Sequence, residues 1–413
     1  MRKSKTSRIL SLTFCLLLSL PLQVFRAESR SDRYEARAEY TQRPAPNYEE
    51  KKRQTNDIAV TIVVSGLTCT CARFAEDIRN VVNDLRPDGV RVLPVLGVGG
   101  LQNVQDVLFL QNIDMGVVDE DNLRLLKQRD PVLYANIERH VQYITKLYNS
   151  EFQVVARDEI KSYADLRGKK VNFNLKDSQT EVTADIVFNA LNIDTVRSYY
   201  DNDIAIKKVI DGDLAAMIIL TGAPQAALAK LRKEDGVHFL PFDESTSPAA
   251  KQILANYMPA ELTHEEYPAL IPDHTSVPTF ANRALLVAYA WPDNSPRYNK
   301  IAKFVREFFG KIDQFHDAAR HPKWSEINIA AEMPGWTRFP PAAEWLAEQR
   351  LMAARGHIQT ASAGGAAELK LAFDQFVDQY AQTKGLRTIS ANDKEMLFGK
   401  FRQYLQSQPR AAR

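Results

Sequence analysis

Two cysteines separated by one residue stand out in the segment VSGLTCTCARF (residues 64–74), because they could carry redox or metal chemistry. Thiolates at a helix N-terminus have a lowered pKa, and a C-x-C pair can ligate a soft metal such as Cu(I). A metal site would need further ligands, but His316 and His321 are five residues apart and do not share a helix face. Cys69 and Cys71 therefore leave two interpretations: a local disulfide or turn filler, which we favour, and a redox or metal site.

Glycines and hydroxyl residues in the same segment indicate a different chemistry, the capture of a ligand where a helix begins. A helix N-terminus offers unpaired N–H groups and a positive dipole end, so it binds carboxylate or phosphate without an arginine. Four segments have such residues at a strand-to-helix join: SGLTCTC from residue 65, GVGGLQN from residue 97, KDSQTE from residue 176 and TGAP from residue 221. Each also has a purely structural explanation, such as the capping-box spacing of Ser178 and Glu181.

The elements that position these segments follow an alternating pattern of β-rich apolar runs and amphipathic helices. Predicted strands lie at residues 58–64, 90–98, 113–119, 151–157, 169–175, 215–220 and 283–290. The first helix is predicted at residues 72–86, where apolar residues recur at helical spacing. This order predicts an α/β fold with parallel sheets, in which ligands bind beyond the carboxyl ends of the strands.

The ends of the chain differ from this pattern. Residues 1–27 have the features of a cleavable signal peptide, namely a basic start, an apolar run over 9–20 and Pro21. Residues 28–56 are polar and charged, which predicts a flexible segment. Apolar stripes in the last part of the chain predict a C-terminal helical extension over 339–413.

Charge excludes one class of partner. Removal of residues 1–27 takes away five basic residues and no acids, so the formal charge falls from +2 to −3. A nucleic-acid-binding protein would need a basic face, so no nucleic-acid partner is expected. Export to the periplasm agrees with the sparse cysteine content, because only Cys69 and Cys71 remain after cleavage.

Several segments resemble the TAXI-type solute receptors of tripartite ATP-independent periplasmic (TRAP) transporters. The resemblance rests on four stretches: LYNSEFQVVARDEIKSYADLRGKKVNFNLKDSQTEVTADIVFNAL, DGDLAAMIILTGAPQAAL, NVQDVLFLQNIDMGVVDEDNL and PGWTRFPPAAEWLAE. Their order matches the family, and the likeness covers about residues 57–347. The combination of TGAP with D-L-x-G-K is the most specific part.

The resemblance implies a two-lobed periplasmic binding protein of type II fold that closes on a small ligand. It places lobe 1 at 57–147 plus 276–338 and lobe 2 at 148–275, with the hinge crossed near 148–157 and 275–287. It implies a periplasmic receptor that passes a small, carboxylate-bearing, anionic solute to an integral-membrane TRAP permease. No cofactor, metal or enzymatic activity is implied.

Residue by residue, the resemblance places ligand-binding positions in the four loops and at one strand end. They are Ser65, Gly66, Thr68, Cys69, Thr70, Cys71, Gly99, Gly100, Asp119, Ser178, Thr180, Thr221, Gly222 and Ala223. The sequence departs from the family at the cysteines, where glycines and an aromatic residue are usual, and at Gln179, where glycine is usual. Both departures replace hydrogen atoms with side chains near the expected ligand, which predicts a narrower site.

Two other classes of function remain open. The chain could be a periplasmic sensory or partner-binding module whose C-terminal helices dock another protein, or a cysteine-based metal or redox protein. An enzyme is not expected, because the sequence has no nucleophile–base pair, no paired carboxylates at suggestive spacing and no phosphate loop.

Overall fold

The computed structural model describes residues 47–86, 88–361, 365–383, 386 and 388–407. One compact unit is Lys52–Ala342, and a second contains the described parts of Met1–Lys51 and Ala343–Arg413. The predicted signal peptide at 1–27 lies outside the described residues. Among the helices in the described ranges, none has the length and apolar character to cross a bilayer.

Strands and helices alternate through most of the larger unit. The strands are β1 Ala59–Val64, β2 Arg91–Leu96, β3 Met115–Asp119, β4 Val141–Arg157, β5 Lys170–Asn172, β6 Val196–Ser198, β7 Ala216–Thr221, β8 Val237–Phe239, β9 Met258–Thr263 and β10 Ser276–Tyr289. The α-helices are α1 Tyr48–Asp57, α2 Thr70–Val82, α3 Gly100–Phe109, α4 Asn122–Arg129, α5 Gln179–Ala190, α6 Asn202–Ile210, α7 Ala250–Leu254, α8 Pro296–Gly310, α9 Pro340–Ala361, α10 Ala366–Thr383 and α11 Ala391–Ser407.

The sheet order is β2-β1-β3-β10-β4-β7-β5-β6, with β8 beside β4 and β9 beside β10. Each end of this order is a parallel βαβαβ set, β2-β1-β3 at one end and β6-β5-β7 at the other. Between them, β10 and β4 run antiparallel to their neighbours. The two sets are the two lobes of a type II periplasmic binding protein fold, which confirms the predicted α/β fold class.

The long strands β4 and β10 belong to both lobes. β4 pairs with β10 over Val141–Glu151 and then with β7 over Glu151–Ala156. In the same way, β10 pairs with β3 over Ala284–Ala288 and with β9 over Ser276–Ala281. The chain therefore passes between the lobes near Glu151 and Ala281. The exact lobe limits given above stay a prediction.

Alternating side chains give lobe 2 a core on each face of its sheet. In β7, Ile218 packs into a cluster around Phe152, Phe188 and Phe280, whereas Met217 faces the opposite cluster. Period-two alternation along a strand places neighbouring residues on opposite faces. These two apolar layers hold β7 in place, and with it the loop that follows at Thr221.

Helix α2 is fixed in lobe 1 by apolar contacts of Phe74 and by polar contacts of Asp77. Phe74 of α2 stacks on Trp324, with ring centroids 4.1 Å apart, and also contacts Tyr148. The buried carboxylate of Asp77 accepts a 2.9 Å hydrogen bond from Trp324 Nε1. Because the helix cannot slide on this surface, its N-terminus is held at a defined place.

The structure adds detail at two places in the sequence prediction. Helix α1 covers residues 48–56 of the segment predicted to be flexible, and Asn47 Oδ1 caps it by accepting from Glu50 N. Residues 28–46 of that segment lie outside the described ones. The segment TGAP, predicted at a strand-to-helix join, does not lead directly into an α-helix. Gln225 Oε1 accepts from the N–H groups of Ala227 and Leu228, and only a 3₁₀ turn at Leu228–Lys230 follows.

The smaller unit has a core of its own, formed by α9, α10 and α11. Phe373 of α10 packs on Phe398 and Phe401 of α11, with ring centroids 5.3 and 5.0 Å apart. Ala354 and Ile358 of α9 belong to the same cluster. The three helices therefore bury their apolar stripes on one another.

Candidate functional site

A cavity of about 430 Å³ lies between the two lobes at the carboxyl ends of their strands. Eleven of the fourteen predicted ligand-binding residues line it, and the other three do not. The lining residues are Ser65, Gly66, Thr68, Cys69, Cys71, Gly99, Gly100, Asp119, Ser178, Thr180 and Thr221. Four loops and one strand end that are distant in sequence thus meet at one place.

Thr70 and Gly222, two of the three that do not line the cavity, join the lobes beside it. The Thr70 hydroxyl donates to the Gly222 carbonyl at 2.8 Å, and Thr70 N donates to Thr221 Oγ1 at 3.2 Å. A Cβ on Gly222 would lie 3.0 Å from Thr70 Cγ2 and 2.9 Å from Lys323 Cδ, so the contact requires glycine. Ala223 N donates to the buried Glu151 carboxylate at 2.8 Å. Thr70 and Gly222 hold the lobes together rather than facing the cavity, whereas Ala223 is bound to Glu151 of β4 in its own lobe.

In the first loop, a disulfide joins Cys69 and Cys71. Cys69 is also the N-cap of α2, since its sulfur accepts from Ala72 N at 3.3 Å. The Cys71 sulfur accepts from Ser65 N at 3.3 Å. Of the two interpretations of this pair, the structure favours the local disulfide, which fixes the turn that borders the cavity.

The second loop depends on two glycines. Gly99 and Gly100 have φ angles of +91° and +55°, which glycine adopts without steric cost. A Cβ on Gly100 would lie 2.9 Å from the backbone nitrogen of Gln179 in the other lobe. Asn103 anchors the loop, because its side chain accepts from Gly99 N and donates to the Val117 carbonyl.

In the third loop, Ser178 caps α5 by accepting from Glu181 N at 3.3 Å. The neighbouring Gln179 reaches the other lobe. Its Oε1 accepts from Asn122 Nδ2 at 2.7 Å, and its Nε2 donates to Asp121 Oδ1 at 3.2 Å. The glutamine that replaces the expected glycine is therefore a contact between the lobes as well as part of the cavity wall.

Four helices begin at the cavity: α2, α3, α5 and α6. Their N-cap residues Cys69, Gly99, Ser178 and Asp201 all line it. Side chains cap α2, α5 and α6, whereas α3 has no side-chain cap at Gly99. The first N–H groups of α3 are therefore the ones best placed to receive an anionic group.

The charges at the cavity are all acidic. Among the described residues that line it there is no Arg, Lys or His, whereas Asp119, Asp201 and Asp203 are present. Asp201 and Asp203 are exposed, but Asp119 is only 9% exposed. Burial raises the pKa of Asp119 well above its usual range, and the nearby Asp121 and Glu120 raise it further.

Asp121, two residues later, is buried but well satisfied. Its carboxylate accepts from Asn282 Nδ2 at 2.8 Å and from Gln179 Nε2 at 3.2 Å. The Tyr257 hydroxyl contributes a longer bond of 3.4 Å. Burial is the largest influence and raises the pKa of Asp121, while the Asn282 hydrogen bond opposes it.

Sequence reasoning missed several lining residues. Tyr148 and Ser150 lie in β4, and Ala284 of β10 pairs with both Tyr148 and Asp119 to complete the floor. No turn residue marks these positions. Helix α6 was also missed, although Asp201 is a typical N-cap and accepts from Ile204 N at 3.0 Å.

Comparison with known proteins gives a family match over residues 82–349, to the NMT1-like family. Among solved structures, "Structure of a periplasmic transporter" is 11% identical, covers 79% of this chain and 96% of that chain, and has a TM-score of 0.42. An alkanesulfonate-binding protein, SsuA from Xanthomonas axonopodis pv. citri bound to MOPS, is 13% identical, covers 71% and 92%, and has a TM-score of 0.37. An ancestral arginine-binding protein bound to arginine is 16% identical, covers 63% and 96%, and has a TM-score of 0.37.

Proposed function

The chain belongs to the NMT1-like family, and on that premise we propose that it is an exported solute receptor of the TAXI type. It captures a small, carboxylate-bearing solute between its lobes and delivers it to an integral-membrane TRAP permease. Binding, rather than catalysis, is its role.

One observation supports this proposal above the others: the helices α2, α3, α5 and α6 all begin at a cavity between two lobes. The N-terminus of α3 has no side-chain cap and can receive the solute carboxylate. The volume of about 430 Å³ is in the range of small-molecule sites.

Two strands that pass through both lobes make lobe closure the natural way to enclose the solute. The hydrogen bonds from Thr70 to Thr221 and Gly222 then form only when the lobes meet. In this arrangement the proposed binding residues are the fourteen named from the sequence: eleven lie in the cavity wall, Thr70 and Gly222 lie at the closure contacts beside it, and Ala223 is next to Gly222.

Thermal unfolding in the presence of amino acids, oxo acids and dicarboxylates tests the receptor proposal. A ligand at 100 times its Kd stabilises the folded state by about 2.7 kcal/mol, so a true ligand should raise the Tm by several degrees. The variant Gly66→Phe is the matched control, because Gly66 lines the cavity and a Cβ there meets no atom within 4 Å. It should stay folded and lose the shift. If no solute in the panel stabilises the wild type, the receptor proposal is wrong.

Two further measurements test export and delivery. The intact mass of protein purified from the periplasm should correspond to loss of about residues 1–27. Uptake of the identified solute into vesicles that contain a TRAP permease should require this protein, and uptake without it would contradict the delivery step.

A further inference from the structure

Asp119 is a buried acid at the floor of the cavity, and its carboxylate has no partner among the residues that the structure describes. It is the last residue of β3, lines the cavity and is only 9% exposed. Its backbone N–H donates to Asn122 Oδ1, but within the described residues its carboxylate oxygens have no hydrogen bond or ion pair. The contrast with Asp121, which has four hydrogen-bond donors, shows that this part of the fold can satisfy a buried acid.

A buried carboxylate without a donor from the protein is costly, because it loses most of its hydration. A proton or a positively charged partner relieves that cost. No basic side chain of the described cavity wall can serve, since the wall contains none. The remaining partner is the ligand itself.

The cavity thus has one end suited to an anion and one residue suited to a cation. The uncapped N-terminus of α3 favours a carboxylate. Asp119 favours a group that carries positive charge and donates hydrogen bonds, and the exposed acids Asp201 and Asp203 add negative potential to the same wall.

We propose that Asp119 binds a cationic nitrogen of the solute, so that the site selects amino-bearing monocarboxylates and disfavours dicarboxylates. This inference rests on the receptor function proposed above and narrows its solute class. A second carboxylate would find neither arginine nor lysine in the described wall; it would have to keep Asp119 protonated and would lie in the negative potential of Asp201 and Asp203. Discrimination therefore comes from repulsion of the wrong solute as well as attraction of the right one.

The electrostatics of the empty site agree with this assignment. Burial and the neighbouring acids Asp121 and Glu120 raise the pKa of Asp119, which favours its protonated form. An ammonium group in hydrogen-bond contact would favour the carboxylate instead. The solute would then supply the positive charge that the described cavity wall lacks.

Four five-carbon acids test the inference by isothermal titration calorimetry. Valerate has one carboxylate, glutarate has two, and 5-aminovalerate and L-norvaline each add an ammonium group at a different position. At least one amino-bearing acid should bind at least tenfold more tightly than valerate and glutarate, since a charge-assisted hydrogen bond contributes about 1.5–3 kcal/mol.

The variant Asp119→Asn separates recognition from a structural role. It should weaken the preferred amino acid by about 10- to 100-fold and leave glutarate equal or tighter, because no acid then has to stay protonated beside the second carboxylate. The Tm of the ligand-free variant should be unchanged or higher, because an unpaired buried acid has been removed. Asp106→Asn is the charge-matched control, because Asp106 lies on α3 away from the cavity wall, and it should bind like the wild type.

The outcomes separate this inference from the function on which it rests. If glutarate binds and the amino-bearing acids do not, the inference is wrong and the receptor function stands. If Asp119→Asn lowers the Tm and weakens all four acids equally, Asp119 is structural and the inference is wrong. If neither these acids nor the wider panel bind, both proposals fall.

Discussion

The substitution Gly100→Ala should weaken ligand binding by opposing closure of the lobes. The added Cβ would lie 2.9 Å from Gln179 N and 3.0 Å from Gln179 Cα. Both atoms belong to the backbone of the other lobe, so no side-chain rotation can relieve the overlap. The lobes must instead stay a few tenths of an ångström further apart, which also lengthens the hydrogen bond from Asn122 to Gln179 Oε1.

The size of the effect follows from two separate costs. The φ angle of +55° costs an alanine about 1–2 kcal/mol in the open and closed forms alike. Overpacking costs about 1–3 kcal/mol, and only in the closed form. Because only the second cost differs between the two forms, the Kd should rise by about 5- to 150-fold.

Calorimetry with the solute that gives the largest thermal shift measures the Kd, and small-angle scattering of the ligand-free protein measures closure. Gly168→Ala is the matched control, because Gly168 also has a positive φ, +69°, but its added Cβ meets no atom within 4 Å. This control should lose stability to urea and keep its Kd. A Gly100→Ala variant with wild-type Kd and wild-type radius of gyration would refute the predicted contact across the cavity.

Three other predictions address closure, binding and stability. Thr70→Val removes the hydroxyl that donates to the buried Gly222 carbonyl, and it should raise the Kd measured by calorimetry on the order of tenfold. Thr70→Ser keeps the hydroxyl and should leave the Kd unchanged. Equal Kd values for the two variants would contradict the role of this hydrogen bond. The pKa of Asp119 is raised in the empty site and should fall beside an ammonium group, so binding of an amino-bearing solute should release a proton and tighten as pH rises. Calorimetry in two buffers of different ionisation enthalpy measures the number of protons released. Binding without proton release would count against the proposed role of Asp119. Burial, with a smaller effect of Lys323, lowers the pKa of His321 to about 4. Between pH 6.5 and 4 this histidine is therefore protonated in the unfolded chain but neutral in the folded protein. The free energy of unfolding should therefore fall by up to about 3 kcal/mol from this group between pH 6.5 and 4, and urea titrations of His321→Gln should show a shallower fall than the wild type.

The loops of the candidate site could be predicted from the sequence because their information is local. Gly99 and Gly100 need positive φ angles, and Ser178 carries the cap of its own helix. Parallel strand order then places such loops at one edge of the sheet. These rules use only neighbouring residues and the order of strands, and they were enough to indicate the edge of the sheet at which the cavity lies.

Contacts between distant segments could not be predicted in this way. Thr70 and Gly222 meet across the two lobes, whereas the family resemblance implied only that Thr70 is a ligand-binding position. Tyr148 and Ser150 are ordinary strand residues whose exposure to the cavity depends on β4 running through both lobes. Likewise, the lack of a partner for the Asp119 carboxylate among the described residues depends on which distant segments pack beside it, so the sequence near Asp119 could not predict it.

The strand that completes lobe 1 arrives late during synthesis. β3 ends at Asp119, but its antiparallel neighbour β10 begins only at Ser276. The other lobe has most of its sheet, from β4 to β8, in one continuous stretch of chain. As the polypeptide emerges from the ribosome, the pairs among β4, β5, β6, β7 and β8 can form while β3 still has an open edge that waits for β10. A factor that protects the nascent chain is therefore needed most at lobe 1, because β3 is synthesised early and its neighbour β10 is synthesised late.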